Sequence, residues 1–265
     1  MVRSLLLRGM LVGIAAGLLA FLTAHTLGEP QVNKAISFES YVEYQVHHNV
    51  PEKEIVSRDV QSTLGLGAGS LLYTVAFGGL FALVFSAAYG RIGAMTVRGT
   101  AAALGLMGLV GVYVVPNLKY PANPPSVGQP DTIGRRTTLY LLMIVASLLL
   151  MAAAVVVRKR YVQRLGEWNA TLVAGGVFLV GVVVCYLAFP GVNEVPQQGI
   201  PGVVHAVTGA GVTFPPTVLW RFRVASLAVQ LVIWGTLSLG FGVLAQRLFD
   251  RARPGLEAEL AGTGG

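Results

Sequence analysis

Six stretches of this chain run 19 residues or longer without a charged side chain: residues 9–27, 60–90, 99–118, 137–157, 168–193 and 224–246. About 20 helical residues, rising 1.5 Å each, cross the ~30 Å hydrocarbon core of a bilayer. Six windows of that length leave little room for a water-soluble fold. Strands are the poorer alternative, because the windows lack polar alternation and a membrane-barrel strand takes only about 9–11 residues. Charged residues make up 12% of the chain, about half the roughly 25% usual in soluble domains. That balance excludes disorder, a coiled coil and most soluble enzymes. The expected fold is an all-α polytopic membrane protein: a six-helix transmembrane bundle of three hairpins. Its spans fall at about 7–27, 64–89, 99–118, 137–157, 168–190 and 224–246, in a single domain over residues 1–249. Residues 28–62 then form an outer loop with a short amphipathic helix, and 250–265 a mobile cytoplasmic tail.

Lys and Arg orient the bundle. Residues 1–8, 90–98, 158–167 and 247–265 carry 11 of them in 46 residues; 28–62, 119–136 and 191–223 carry 8 in 86. Basic residues concentrate on the cytoplasmic side, so both termini are expected there. The pI near 9.8 is read as this topology signal and not as a nucleic-acid surface. Tyr89, Tyr161 and Trp168 then fall at inner span ends, Tyr120 and Trp220 at outer ones. Arg3 and Arg8 before an apolar run resemble a signal peptide, but no small-x-small cleavage site precedes His25, so the first helix is expected to be retained.

Helices in lipid associate by close packing, since lipid tails are as apolar as leucine. Gly9, Gly13 and Gly17 repeat at four-residue spacing. Gly65, Gly67, Gly69, Gly78 and Gly79 mark the second span, and Gly175, Gly176 and Gly181 the fifth. Contact within one bundle is the expected use of these residues, with a homo-oligomer seam as the alternative. Cys185 is the single cysteine, which excludes an intrachain disulfide and a Cys-based zinc cluster; a buried thiol is expected there.

The outer loops hold the unusual residues. In the first, Ile36, Phe38, Tyr41 and Val42 form an apolar helical face, while Glu39, Glu43 and His47 recur every four residues with His48 adjacent. Carboxylates and imidazoles in a row suit a borderline divalent cation; a solvated acidic face is the plainer reading. His25 lies on the route inward. The second loop has prolines at 116, 121, 124 and 125, which forbid regular helix. The third begins with Pro190, Asn193, Glu194 and Pro196, and its apolar 200–212 stretch, broken by His205, is too short to span. Arg58, Arg135 with Arg136, and Arg221 with Arg223 stand near the outer starts of the second, fourth and sixth spans, against both the helix dipole and the positive-inside trend. Partners are therefore expected, with Asp59, Asp131 and Glu194 the nearest carboxylates, tied into an Arg–carboxylate network at the mouth.

These residues resemble a known family. The stretches at 56–63, 119–128 (Lys-Tyr-Pro-Ala-Asn-Pro-Pro-Ser-Val-Gly), 132–136, 168–170, 193–196 and 219–223 (Leu-Trp-Arg-Phe-Arg) look like the CbtA family, predicted membrane subunits of a cobalt transporter. The resemblance runs from about Arg3 to Phe249. It implies transport of Co²⁺ with no permanently bound cofactor, a small His-rich membrane partner resembling CbtB, and a link to cobalamin supply. Family members are described with five spans and a more His-rich first outer loop. On that reading Glu43, His47 and His48 capture the ion, and His25, Asn117, Asn123, Asn193 and Glu194 line its passage. No phosphate-binding G-x-x-x-x-G-K-[ST] motif, nucleophile–base pair or metalloprotease motif occurs, so neither ATP hydrolysis nor another enzyme activity is expected. A non-transporting scaffold whose partner carries the metal path is the alternative. A handler of anions or lipid headgroups is a third reading.

Overall fold

A computed structural model describes residues 1–46, 55–125, 127, 130–192 and 214–262. No strand occurs among them. Five helical segments are long and apolar enough to cross a membrane: Val2–Tyr41, Arg58–Ala88, Val97–Lys119, Thr132–Ala188 and Pro216–Arg251.

In chain order, α1 (Val2–Thr23) passes through a π-helical turn, Ala24–Gly28, into α2 (Glu29–Val46). The expected outer loop thus begins as helix continuous with the first span. Pro30 marks the joint. An internal proline removes a hydrogen bond and crowds the carbonyl four residues back; the wider π turn just before it relieves both. Next come α3 (Arg58–Val60), a second π turn (Gln61–Gly65) and α4 (Leu66–Ala88). The Thr96 side chain accepts from Gly99 N at 3.1 Å and caps α5 (Val97–Gly108). A third π segment, Leu109–Val114, joins it to α6 (Val115–Lys119).

The fourth and fifth windows appear as one element, α7 (Pro130–Ala188), interrupted at Gly166 (φ 75°, ψ 168°). That conformation is essentially restricted to glycine. The two limbs fold back on one another. Leu150 lies against Gly181, Arg158 Nε is 3.1 Å from Thr171 Oγ1, and its Nη2 bonds Glu167 Oε2. Met143 and Ala154 share a core with Ala174, Phe178 and Val182, where Val115 and Tyr120 join them. α8 (Pro216–Gly262) is helical through the stretch expected as a loose tail. Pro130 and Pro216 each open a helix, where a missing N–H costs nothing.

The residues form two compact units. The first comprises Met1–Ala20, Ala68–Leu109 and Leu231–Gly265; the second Phe21–Gly67 and Val110–Gln230. In the first unit the glycines of α1 meet α4 directly: a Cβ at Gly9 would fall 2.2 Å from the Gly78 carbonyl oxygen, and one at Gly13 2.5 Å from that of Thr74. Phe81, Phe85 and Phe241 pack edge to face nearby. This is the within-bundle use of the glycine stripe. In the second unit Ala35, Val127, Phe214 and Val218 form a small core with Phe38 and Leu219 against it. α2 is therefore docked through Ala35 and Phe38; Tyr41, expected on the apolar face, is exposed.

Candidate functional site

The polar side chains of the second unit form two groups. The first joins the α1–α2 helix to the start of the second membrane helix. His25 sits in one π turn, and its Nδ1 lies 3.0 Å from the carbonyl oxygen of Ser62 in another. A carbonyl only accepts, so Nδ1 is the donor in this contact, and in the neutral imidazole Nε2 is then the acceptor nitrogen. Phe21 stacks on the imidazole. One turn further along, Arg58 forms an ion pair with Glu29. Its Nε donates to Asn33 Oδ1 at 3.0 Å, and Nη1 reaches Gln61 Oε1 at 3.4 Å. His25, Glu29 and Asn33 thus recur every four residues along one face, opposite Arg58 and Ser62, themselves four apart. The ion pair is partly sheltered: the Glu29 side chain is 13% exposed and that of Arg58 24%.

Beside this ladder lies a cleft of about 190 Å³. Its walls are mostly apolar, with Glu29, Ser226 and Gln230 as its polar residues. Tyr113 OH donates to Ser226 Oγ at 3.1 Å.

The second group is built on the proline-rich segment after α6. Pro121, Pro124 and Pro125 leave its carbonyls without helical partners, and two arginines from other helices take that role. Pro116, expected in the irregular stretch, stands instead in the first turn of α6. Arg136 Nη2 bonds the Pro121 carbonyl. Arg223 Nε donates to Ala122 O at 3.2 Å and Nη2 to Asn123 Oδ1 at 3.0 Å. Asn117 Oδ1 accepts from Ala122 N at 3.0 Å. Lys119 Nζ donates to Tyr186 O at 2.7 Å, Tyr120 OH to Pro190 O at 2.8 Å and Tyr186 OH to Val115 O at 2.6 Å. Burial pushes the Tyr120 phenol above its ordinary pKa, and the Arg135 charge partly offsets this.

Several expected site residues come together here, with different partners. Arg136, Arg223, Asn117 and Asn123 assemble as donors and acceptors to backbone and amide groups. Arg58 pairs with Glu29, which lies outside the expected set. Asp59 is exposed and makes no ion pair among the described residues; Arg135 and Arg221 are exposed as well. His47, His48, Asn193 and Glu194 lie outside the described residues, as do the side chains of Glu43 and Asp131. Among the described residues, no three His, Cys, Asp or Glu side chains gather as a metal-binding group. Cys185 is a free, half-buried thiol packed beside the α7 core. Sequence reasoning missed Glu29, Asn33 and Gln61. The four-residue spacing from His25 was the available signal, hidden because Pro30 read as a loop boundary.

A family model described as a probable cobalt transporter subunit matches residues 2–246 of the chain. No curated protein and no solved structure matches it.

Proposed function

The chain belongs to the CbtA family of probable cobalt transporter subunits and is a multi-pass membrane protein; on that premise we propose that it is the membrane subunit of a cobalt uptake system, moving Co²⁺ inward without hydrolysing ATP. The family match over nearly the whole chain carries this reading. The chain acts as a carrier subunit and not as an enzyme. It crosses the bilayer six times, with both termini cytoplasmic. The 57 residues from Thr132 to Ala188 far exceed the roughly 20 that one crossing takes, and the break at Gly166 with its hairpin packing favours two. A small His-rich membrane partner resembling CbtB completes the system.

The proline-rich segment lies at the outer mouth, where irregular backbone is tolerated beside a wet cavity or buried in protein. Capture falls to Glu43, His47 and His48, with His25, Asn117, Asn123, Asn193 and Glu194 along the route. For a divalent cation, a membrane potential negative inside supplies about 4.6 kcal/mol per 100 mV, twice the single-charge figure. Only neutral imidazole binds metal, so uptake is expected to fall as pH drops below about 6.5 and after joint His47→Ala and His48→Ala substitution.

The deciding experiment reconstitutes the chain alone, the His-rich partner alone and the two together in liposomes, and follows Co²⁺ and Ni²⁺ entry under an imposed potential. Entry that requires this chain supports the carrier. Entry with the partner alone favours a second reading, a scaffold whose partner carries the path. The exposed Arg135 and Arg221 favour that reading, since they repel cations.

A further inference from the structure

We propose that Arg58 occupies a cation cradle, and that a divalent metal ion competes with its guanidinium for the same oxygen atoms. The inference rests on the transport reading only for the identity of the ion. The guanidinium meets three acceptors at once: the Glu29 carboxylate at Nη2, Asn33 Oδ1 at Nε and Gln61 Oε1 at Nη1. One carboxylate and two amide oxygens converging on a positive centre are ligands for a divalent ion. The positive centre here is tethered to the chain.

His25 adds the nitrogen. Metal-binding imidazoles usually donate their other N–H to a carbonyl or carboxylate, which fixes the tautomer and the ring. His25 does this through Nδ1 and Ser62 O. Its exposed ring lies one turn before Glu29, and Nε2 makes no hydrogen bond among the described residues. Two further observations separate the cradle from an ordinary surface ion pair. His25, Gln61 and Ser62 all lie in π turns, which are frequent at functional sites. Glu29 also lines the 190 Å³ cleft, whose other polar residues are Ser226 and Gln230, so the carboxylate of the cradle is reached from an open cavity. Binding and release are then one exchange: the ion draws the carboxylate from Arg58, and Arg58 retakes it when the ion leaves. Such a site holds its ion weakly, as a conducting path needs.

The test is equilibrium dialysis of the full chain in detergent against Co²⁺ at neutral pH. Removing the competing charge in Arg58→Gln should raise affinity at least about tenfold, from the scale of a unit-charge interaction at close range. Adding Glu29→Gln should abolish that gain, and adding His25→Ala should cut it. Arg58→Lys keeps a point charge without the fork and should give a smaller gain, about two- to threefold. Unchanged affinity in Arg58→Gln, or a gain that survives Glu29→Gln, overturns the cradle. Should Arg58→Gln fail to fold, the absence of any gain in Arg58→Lys does the same. Binding that follows these variants without vesicle uptake keeps the cradle and removes the transport reading; the opposite result does the reverse.

Discussion

In the first unit, helices touch backbone to backbone; in the second, they are tied by side chains that donate to carbonyls. Gly9, Gly13 and Gly78 leave no space for a side chain where α1 meets α4. Around the proline-rich segment, Arg136, Arg223, Tyr120 and Lys119 each give a hydrogen bond to a main-chain oxygen. The difference follows from the backbone of each region. Regular helices have satisfied their own polar groups, so dispersion at short range is what remains to gain. An irregular segment has not, and bare carbonyls in a low-dielectric setting cost several kcal/mol each. The first region is therefore sensitive to volume and the second to donors.

The largest effect belongs to the glycine seam. A Cβ at Gly78 would fall 2.1 Å from the Gly9 carbonyl oxygen, and neither atom is at the end of a flexible side chain. Gly78→Ala should improve helix propensity by about 1 kcal/mol yet lose at least about 2 kcal/mol net through overpacking. Thermal unfolding in detergent reads the sign directly; an unchanged or raised midpoint breaks the seam.

Arg223→Met comes next. It leaves Ala122 O and Asn123 Oδ1 without their donor, a loss of about 1–3 kcal/mol. Proteolysis should then cut sooner at residues 121–127. A cleavage rate equal to that of the parent would show that Arg223 is not what holds the segment. Tyr120→Phe removes one hydrogen bond, to Pro190 O, and should cost about 1 kcal/mol, seen as a small downward shift of the same unfolding midpoint.

The helices were legible where charges stop, because burial of charge in hydrocarbon is prohibitive over any 20-residue window. Their continuations were not. Pro30 read as a boundary between the first span and a separate short amphipathic helix, yet α2 continues the span because the π turn before Pro30 accommodates the ring and Ala35 and Phe38 dock on the small core near α8. The arginines near the starts of three helices were legible as residues in need of partners. The kind of partner was not, since sequence distance pointed to carboxylates while the open valences of Pro121 and Ala122 were set by backbone shape. Arg58 shows a different limit: its partner is a carboxylate, as expected, but Glu29 is 29 residues away and became that partner only when two helices were brought antiparallel.

The smallest effect is the sharpest control. Gly176, like Gly78, is a helical glycine in an apolar span, but a Cβ there would meet nothing within 4 Å among the described residues, and its surface is exposed. Gly176→Ala should therefore gain up to about 1 kcal/mol from helix propensity alone, opposite in sign to Gly78→Ala. The two substitutions change the same single methyl group, so propensity and hydrophobicity cancel in the comparison and only the neighbour differs. If Gly176→Ala instead lowers the unfolding midpoint, the cause does not lie in packing among the described residues. A surface outside them then covers that glycine, and the loss should grow with protein concentration if that surface belongs to another copy of the chain.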